Sequence, residues 1–450
     1  MRPRIGVLFS PRGAASARDV LVAAGDDIDV VPLLRAGSAQ RWPALPALIG
    51  RLFGEPLEID EEHLDLPGRD VTGVVTFADA ELELAAACGA HLGVRHRAAR
   101  TADKYHQRSV LGAAGLTGMA TLPVDGPDDV ARVAAGLGFP FVLKPRRGAG
   151  GTDVTVIEGP AQADQVAAGW RWSPGTLYAE QFIPTADPVA GTWRADYVSV
   201  EVQSTLGTHE VITVFGKFPV HARSARNRGA GQMATTGDIL PCGLPDGLRN
   251  EVERLVLDAH RALDMDDGIT HTEVKLGAGG PEIIEINCRV GGHLSRVLKR
   301  RTGFDLVRQA LLITAGLPPQ PLPDNGGRRH VAGMFVPFAD TGGPVRSRVS
   351  PAGLRVPGVA SIDEIARVGA PRADTDAIAC NVVLDCADEE GLRRTAAAFL
   401  SRVAVQFADD GVGDEDWAAE MAARLGAALP PPAATAAPHH PTGSTTGRSV

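Results

Sequence analysis

The stretch ITHTEVKLGAGGPEIIEINCRVGG, residues 269–292, reads as two strands joined by the turn Gly277-Ala278-Gly279-Gly280. Side chains alternate between the two faces of a strand. On the second strand Ile283, Glu285, Asn287 and Arg289 therefore share one face, and Ile284, Ile286 and Cys288 share the other. With Leu276 set opposite Glu282, the hairpin brings Glu273 against Glu285 and His271 against Asn287. Carboxylates placed directly across neighbouring strands repel one another. A hard divalent cation relieves that repulsion, and Mg²⁺, held by few carboxylates together with substrate phosphates, is the expected form. Two carboxylates and an amide, Glu273, Glu285 and Asn287, converge for it. An exposed polar face of a two-layer hairpin is the other reading of the same pattern.

A second constellation lies upstream. Lys144 ends the apolar run Phe139-Pro140-Phe141-Val142-Leu143, and Arg146, Arg147 and the small-residue segment Gly148-Ala149-Gly150-Gly151 follow. Backbone without side chains can approach phosphate oxygens closely, and a lysine beside it adds a compact positive charge. The segment reads as a phosphate clamp, although many hairpins also turn on glycine. The patterns G-x-x-x-x-G-K-[ST], G-x-G-x-x-G and G-x-S-x-G are absent, which excludes the commonest nucleotide and hydrolase signatures.

Around these pieces the pattern is α/β. Arg4 to Phe9, Ile28 to Leu34 and Val71 to Phe77 read as strands, with helices over Ala17 to Ala24 and Glu81 to Leu92. A helix from about Lys104 to Ala114 stops at Gly115, a suitable C-cap. Val154 to Ile157, Leu177 to Ile183, Tyr197 to Thr205 and Val211 to Phe215 are further strands, and Leu248 to Leu263 carries one apolar helical face. Val331 to Phe338, Ala377 to Leu384 and the helix Glu389 to Phe407 fit a small closing α/β unit. The expected division is 1–100, 101–183, 184–325 and 326–426, followed by an Ala/Pro-rich tail over 427–450 whose composition cannot build a core. The pair His439-His440 lies in that tail.

At 450 residues and 44% hydrophobic content the chain can bury at least one large core. A net charge of −9 argues against a nucleic-acid or anionic-membrane surface and for a small-molecule partner. The apolar runs are too short to span a bilayer, and the opening Met1-Arg2-Pro3-Arg4 does not resemble a secretory leader, so a cytoplasmic protein is expected. Five scattered cysteines without a C-x-x-C pair suggest neither a disulfide framework nor a zinc cluster.

The order of the pieces resembles the ATP-grasp superfamily. It rests on Asp103-Lys104 with Arg108, Val142-Leu143-Lys144-Pro145 and its Gly-rich loop, Glu180-Gln181-Phe182-Ile183, Gly216-Lys217, His271-Thr272-Glu273 and Glu285 through Gly292. The resemblance covers about residues 1 to 400, and the branch it is most similar to is that of the carboxylate-amine ligases that make dipeptides. It implies an N-terminal Rossmann-like domain, a two-lobed ATP-binding core and a small C-terminal α/β unit. It implies ATP as cofactor, with Mg²⁺ or a substituting Mn²⁺ on Glu273, Glu285 and Asn287. Lys104 and Lys144 match the lysines that hold ATP phosphates, and Glu180, Gln181, Phe182 and Ile183 match the hinge whose backbone reads adenine. The ribose acid is Asp187 or, preferred at the strand start, Asp196.

Arg289 matches the arginine that binds the acyl phosphate and its carboxylate, and Gly291 and Gly292 adjoin that substrate pocket. Cys288 departs from the branch, which carries proline there; a buried packing role is expected for it. The loop Lys217 to Arg228, with His221, Arg223 and Arg226, either covers the substrate or is solvated. The activity implied is ATP-dependent amide formation between a carboxylate and an amine of amino-acid type, through an acyl phosphate, with a homodimer left open. Another ATP-grasp ligase of biotin-carboxylase or purine-pathway type, a non-catalytic nucleotide-binding module and a structural interaction protein are the alternatives.

Overall fold

The computed structural model describes residues 2–68, 70–96, 102–148, 151, 153–170, 172–186, 193–223, 232–339, 342–372, 378–413, 421 and 423–426. The tail from 427, with His439 and His440, lies outside them, as do Asp187, Arg226 and Arg228.

The N-terminal layer is a parallel sheet in the order β3-β2-β1-β4, from β1 (Arg4–Phe9), β2 (Asp29–Arg35), β3 (Leu57–Ile59) and β4 (Gly73–Thr76). Its helices are α1 (Ala17–Ala24), α2 (Ser38–Arg41), α3 (Ala44–Phe53) and α4 (Leu82–Leu92). Helix α5 (Lys104–Ala113) leads into a four-stranded antiparallel sheet, β5-β8-β6-β7. That sheet comprises β5 (Thr121–Val124), β6 (Phe141–Pro145), β7 (Thr155–Ile157) and β8 (Leu177–Gln181), backed by α6 (Pro127–Leu137) and α7 (Pro160–Gly169).

The rest builds one eight-stranded antiparallel sheet. Its strands are β9 (Tyr197–Thr205), β10 (Thr208–Lys217), β13 (Gly237–Leu240), β14 (Gly268–Gly277), β15 (Gly280–Asn287), β16 (His330–Pro337), β17 (Val359–Ile365) and β18 (Ile378–Cys386), in the order β15-β14-β9-β10-β13-β16-β18-β17. The short pair β11 (His221–Arg223) and β12 (Gln232–Ala234) forms its own ribbon. Helices α8 (Asp246–Ala262), α9 (Leu294–Thr302), α10 (Leu306–Ala315) and α11 (Glu389–Gln406) cover this sheet.

Four expectations change. The closing unit has no sheet of its own: β16 pairs with β13, so the C-terminal strands extend the large lobe's sheet. Lys217 is not a loop residue, because β10 continues to it, and Lys217 and His221 are 3% and 0% exposed. Leu276 faces Pro281, not Glu282, and a bulge between Glu273 and Val274 leaves Ile284 unpaired. One extra residue shifts the alternation. Ile283 therefore joins Ile286 and Cys288 in the core instead of sharing the face of Glu285. Helix α10 gave no helical period because Leu306, Val307, Gln309, Ala310, Leu311, Leu312 and Ile313 are all buried, so apolar residues surround its axis.

The N-terminal layer and the large lobe share one core. Ile5, Val20 and Ile49 pack in a cluster with Leu294, Leu298, Leu311 and Ile313. Leu311 is fully buried at this junction. Leu311→Ala should lower stability by about 2–5 kcal/mol, and calorimetry should show the N-terminal layer and large lobe unfolding in one transition. Two separate transitions would count against a shared core.

Candidate active site

Helix α5 starts where it does because Asp103 caps it, accepting from the backbone N–H of Tyr105 at 3.0 Å and of His106 at 3.2 Å. Arg146 also pairs with Asp103, which ties the cap to the foot of the Gly-rich segment. The cap puts Lys104 at the first helical position. From there its ammonium donates to the Gly148 carbonyl oxygen and lies 3.3 Å from Glu285 Oε2. The same helix covers the exposed edge of β15. The Gln107 amide accepts from Ile286 N–H at 2.9 Å and donates to its carbonyl at 3.0 Å, as a neighbouring strand would. Arg108 donates to the carbonyls of Ile283 at 2.7 Å and Ile284 at 3.3 Å. The bulge carbonyls thus find donors.

Arg108 also binds Glu180 at 3.1 Å, and Lys144 Nζ reaches the other oxygen of Glu180 at 2.6 Å. All three side chains are at most 5% exposed. Burial works to raise the carboxyl pKa of Glu180, but Lys144 and Arg108 outweigh it and hold it below its ordinary value. Glu180 is therefore an internal counter-ion, and of the proposed hinge only Gln181, Phe182 and Ile183 reach the surface. Beyond them Ala186 and Ala278 hydrogen-bond across to Leu276 and Pro184, so the hinge runs along the β14–β15 turn. Asp196 accepts from Lys275 at 2.6 Å and from the Thr185 hydroxyl.

Across the large sheet the pairing brings the acids together as read from the sequence. His271 faces Asn287, and Glu273 faces Glu285. The row continues into β9, where Glu201 faces His271 and Ser199 faces Glu273. Glu201 is fully buried, with Oε1 2.5 Å from His271 Nδ1 and Oε2 accepting from Gly291 N–H at 3.3 Å. His271 Nε2 lies 3.4 Å from Glu273 Oε1. Burial disfavours a charged imidazole, yet Glu201 and Glu273 raise its pKa to about 9. Burial acts to raise the Glu273 carboxyl as well, while His271, Lys217 and Arg289 pull it below its usual value. Asn287 Nδ2 donates to Glu285 Oε1 at 2.9 Å.

Cations compensate the facing carboxylates, so the repulsion inferred from sequence is not left standing. Among the described residues, no three His, Cys, Asp or Glu side chains are grouped to hold a metal alone. Two carboxylates and an amide suit a hard cation that takes its remaining ligands from phosphate and water.

Arg289 differs from its expected surroundings. It lies beyond the end of β15, where strict alternation stops, and its Nε and Nη2 donate to Asp79 Oδ2 at 2.9 and 2.6 Å. Asp79 follows β4 in the N-terminal layer, so the pair joins the two halves of the cleft. Gly291 must be glycine: a Cβ there would lie 2.3 Å from Leu294 Cδ1 and 2.5 Å from His271 Nδ1. Gly292 has open space beside it. Cys288 is buried at 4% exposure. Lys217 pairs with Asp238 on β13. Glu201, Asp79 and Asp238 were not singled out from the sequence. Glu201 could have been, since Ser199, Glu201 and Gln203 alternate with Val198, Val200 and Val202.

This fold, a four-stranded antiparallel sheet and a large antiparallel sheet joined to a parallel N-terminal layer, recurs in solved structures. The L-amino acid ligase of Bacillus licheniformis is similar with a TM-score of 0.68 at 17% identity, covering 90% of this chain and 98% of its own. N5-carboxyaminoimidazole ribonucleotide synthetase from Thermotoga maritima gives 0.63 at 14% identity, covering 92% and 100%. Carnosine synthase 1 of Gallus gallus is 28% identical over 222 residues, 48% of this chain and 23% of its own. The chain has the ATP-grasp fold.

The D-alanine--D-alanine ligase of Methylococcus capsulatus is 27% identical to this chain over 189 residues, 41% of the chain and 55% of the ligase. The chain thus spans about a quarter of the synthase and about half of the ligase. No protein-family model matches it. Among the described residues, no helix is long and apolar enough to cross a membrane.

Glu180→Gln should destabilise the protein at neutral pH by about 3–5 kcal/mol, because it leaves Lys144 and Arg108 buried against a neutral amide. Since folding lowers the pKa of Glu180, its contribution is present above the ordinary carboxyl value of 4.5 and is lost as pH falls through the lowered one. Denaturant titrations should therefore find the gap between variant and parent narrowing below about pH 4.5. A gap that does not change with pH would mean that Glu180 is not the charged partner.

Proposed function

We propose that the chain is an ATP-dependent carboxylate-amine ligase that joins two amino-acid-type substrates into an amide, releasing ADP and phosphate. The observation that carries this is the contact of the Lys104 ammonium with both the Gly148 carbonyl and Glu285, which supports a phosphate-binding lysine beside a metal-binding strand. Sequence relatives named carnosine synthase and D-alanine--D-alanine ligase support an amino-acid substrate over the purine-pathway and biotin-carboxylase alternatives. On this reading residues 1–100 are the N-terminal domain, 101–183 the small lobe, 184–325 the large lobe and 326–426 the closing unit. Gln181, Phe182 and Ile183 line the adenine edge, and Asp196 is the ribose acid. Small-molecule carboxylates and amines are the partners, in the cytoplasm.

Mg²⁺, or Mn²⁺ in its place, would be held by Glu273, Glu285 and Asn287 and would supply neutralisation of phosphate charge. Lys104 and Lys144 bind the phosphates through ammonium groups on flexible stems. A carboxylate oxygen of the first substrate then attacks the γ-phosphorus of ATP, and the bond to the bridging oxygen breaks to leave ADP. Arg289 neutralises charge on the acyl phosphate formed. The amine of the second substrate adds to the acyl carbon, loses a proton and expels phosphate. Gly292, with open space beside it, leaves room for the acyl group, and Gly291 lets the backbone pass close to His271 there. The Gly-rich segment excludes water that would hydrolyse the acyl phosphate.

The test is phosphate release from ATP against pairs of amino acids, with mass spectrometry of the products. A dipeptide from at least one pair is expected, and nucleotide turnover with no amide product from any pair would reject the reading. Arg289→Lys keeps the sign of the charge but loses the planar fork, a charge-assisted contact of roughly 1.5–3 kcal/mol. Ligation should fall about ten- to a hundredfold with ATP affinity retained in calorimetry. Loss of ATP binding with unchanged turnover per bound nucleotide would move Arg289 to the phosphate site.

A further inference from the structure

Both carboxylates of the three-residue metal set already have partners. Glu285 Oε2 has the Lys104 ammonium at 3.3 Å, and Glu285 Oε1 has the Asn287 amide at 2.9 Å. Glu273 has His271 at 3.4 Å. The Lys104 and Glu285 side chains are only 11% and 17% exposed, so water screens their attraction little. Lys104 is also held from its other side by the Gly148 carbonyl, and its helix start is fixed by the Asp103 cap. The lysine thus stands where a cation is needed between facing carboxylates.

We propose that Lys104 is the resident cation of this site, and that a divalent ion replaces it only when a nucleotide phosphate draws the lysine off Glu285. The inference rests on the nucleotide and metal reading above and adds a second role for a phosphate-binding lysine. An ammonium and a divalent cation compete for Glu285, since placing both beside it sets two like charges at short range. A triphosphate changes the balance by offering Lys104 another anionic partner. Metal and nucleotide then raise each other's affinity, as any two ligands linked through one exchange must. The exchange also protects the fold: without metal, Glu285 is never left buried against Glu273 without a counter-charge.

The measurement is Mn²⁺ uptake by the full chain, read by electron paramagnetic resonance of the free ion, with and without saturating ADP and corrected for Mn²⁺ held by ADP in solution. In the parent protein ADP should tighten Mn²⁺ at least about tenfold. Lys104→Gln should bind Mn²⁺ alone about tenfold more tightly than the parent, with a smaller gain from ADP than the parent shows. Lys104→Met keeps the stem without the charge and should behave alike, which guards against a folding defect peculiar to one variant. Unchanged uptake of Mn²⁺ alone by both variants would overturn the proposal while leaving the metal site intact. Failure of the parent to take up Mn²⁺ even with ADP would overturn both the proposal and the metal reading beneath it.

Discussion

Four carboxylates from four strands, Glu180, Glu201, Glu273 and Glu285, each stand beside at least one cation. Lys144 and Arg108 face Glu180, His271 faces Glu201 and Glu273, and Lys104 faces Glu285. A buried carboxylate without such a partner would take up a proton or unfold its surroundings. The need for counter-charge therefore dictates where α5 starts, which strand it covers and how closely the small lobe approaches the large one.

That requirement is met by packing that leaves the pieces little freedom. Helix α5 takes the place of a ninth strand along β15, with the Gln107 amide and the Arg108 guanidinium bonding to its backbone. Arg108 reaches Glu180 in the small lobe from this anchored position, so one residue joins both lobes. On the other side the shared core around Leu311 fixes the N-terminal layer against the large sheet. Asp79 is thereby presented to Arg289 across the cleft.

What could be read beforehand follows from how local each signal is. The facing of Glu273 and Glu285 came out as read although the register at the turn was off by one residue, because the bulge between Glu273 and Val274 shifts the pairing back by one. The position of Ile283 was misread because a bulge has no reliable one-residue signature, and one unpaired residue inverts every assignment on the turn side of it. The extent of the large sheet was missed because the pairing of β13 with β16 links residues far apart in the chain. Asp79 carries no local mark at all; only folding brings it to Arg289. Glu201 is the instructive case, since its alternating strand was visible but a carboxylate on one strand says nothing until its neighbour is known.

The choice between lysine and arginine follows the same division between fixed and exchangeable contacts. Arg108 donates to two carboxylates and two carbonyls, and Arg289 sends two donors to one carboxylate and a third to the Val290 carbonyl. A planar fork with five donors suits such multiply bonded joints, which hold elements in register. Lys104 and Lys144 each meet a single carboxylate through one ammonium on a four-carbon stem. A point charge can leave one oxygen for another without breaking a paired geometry, so the lysine contacts are simpler to exchange than the arginine ones. Arg108 fixes the frame, while a phosphate bound as proposed would draw on the single lysine contacts.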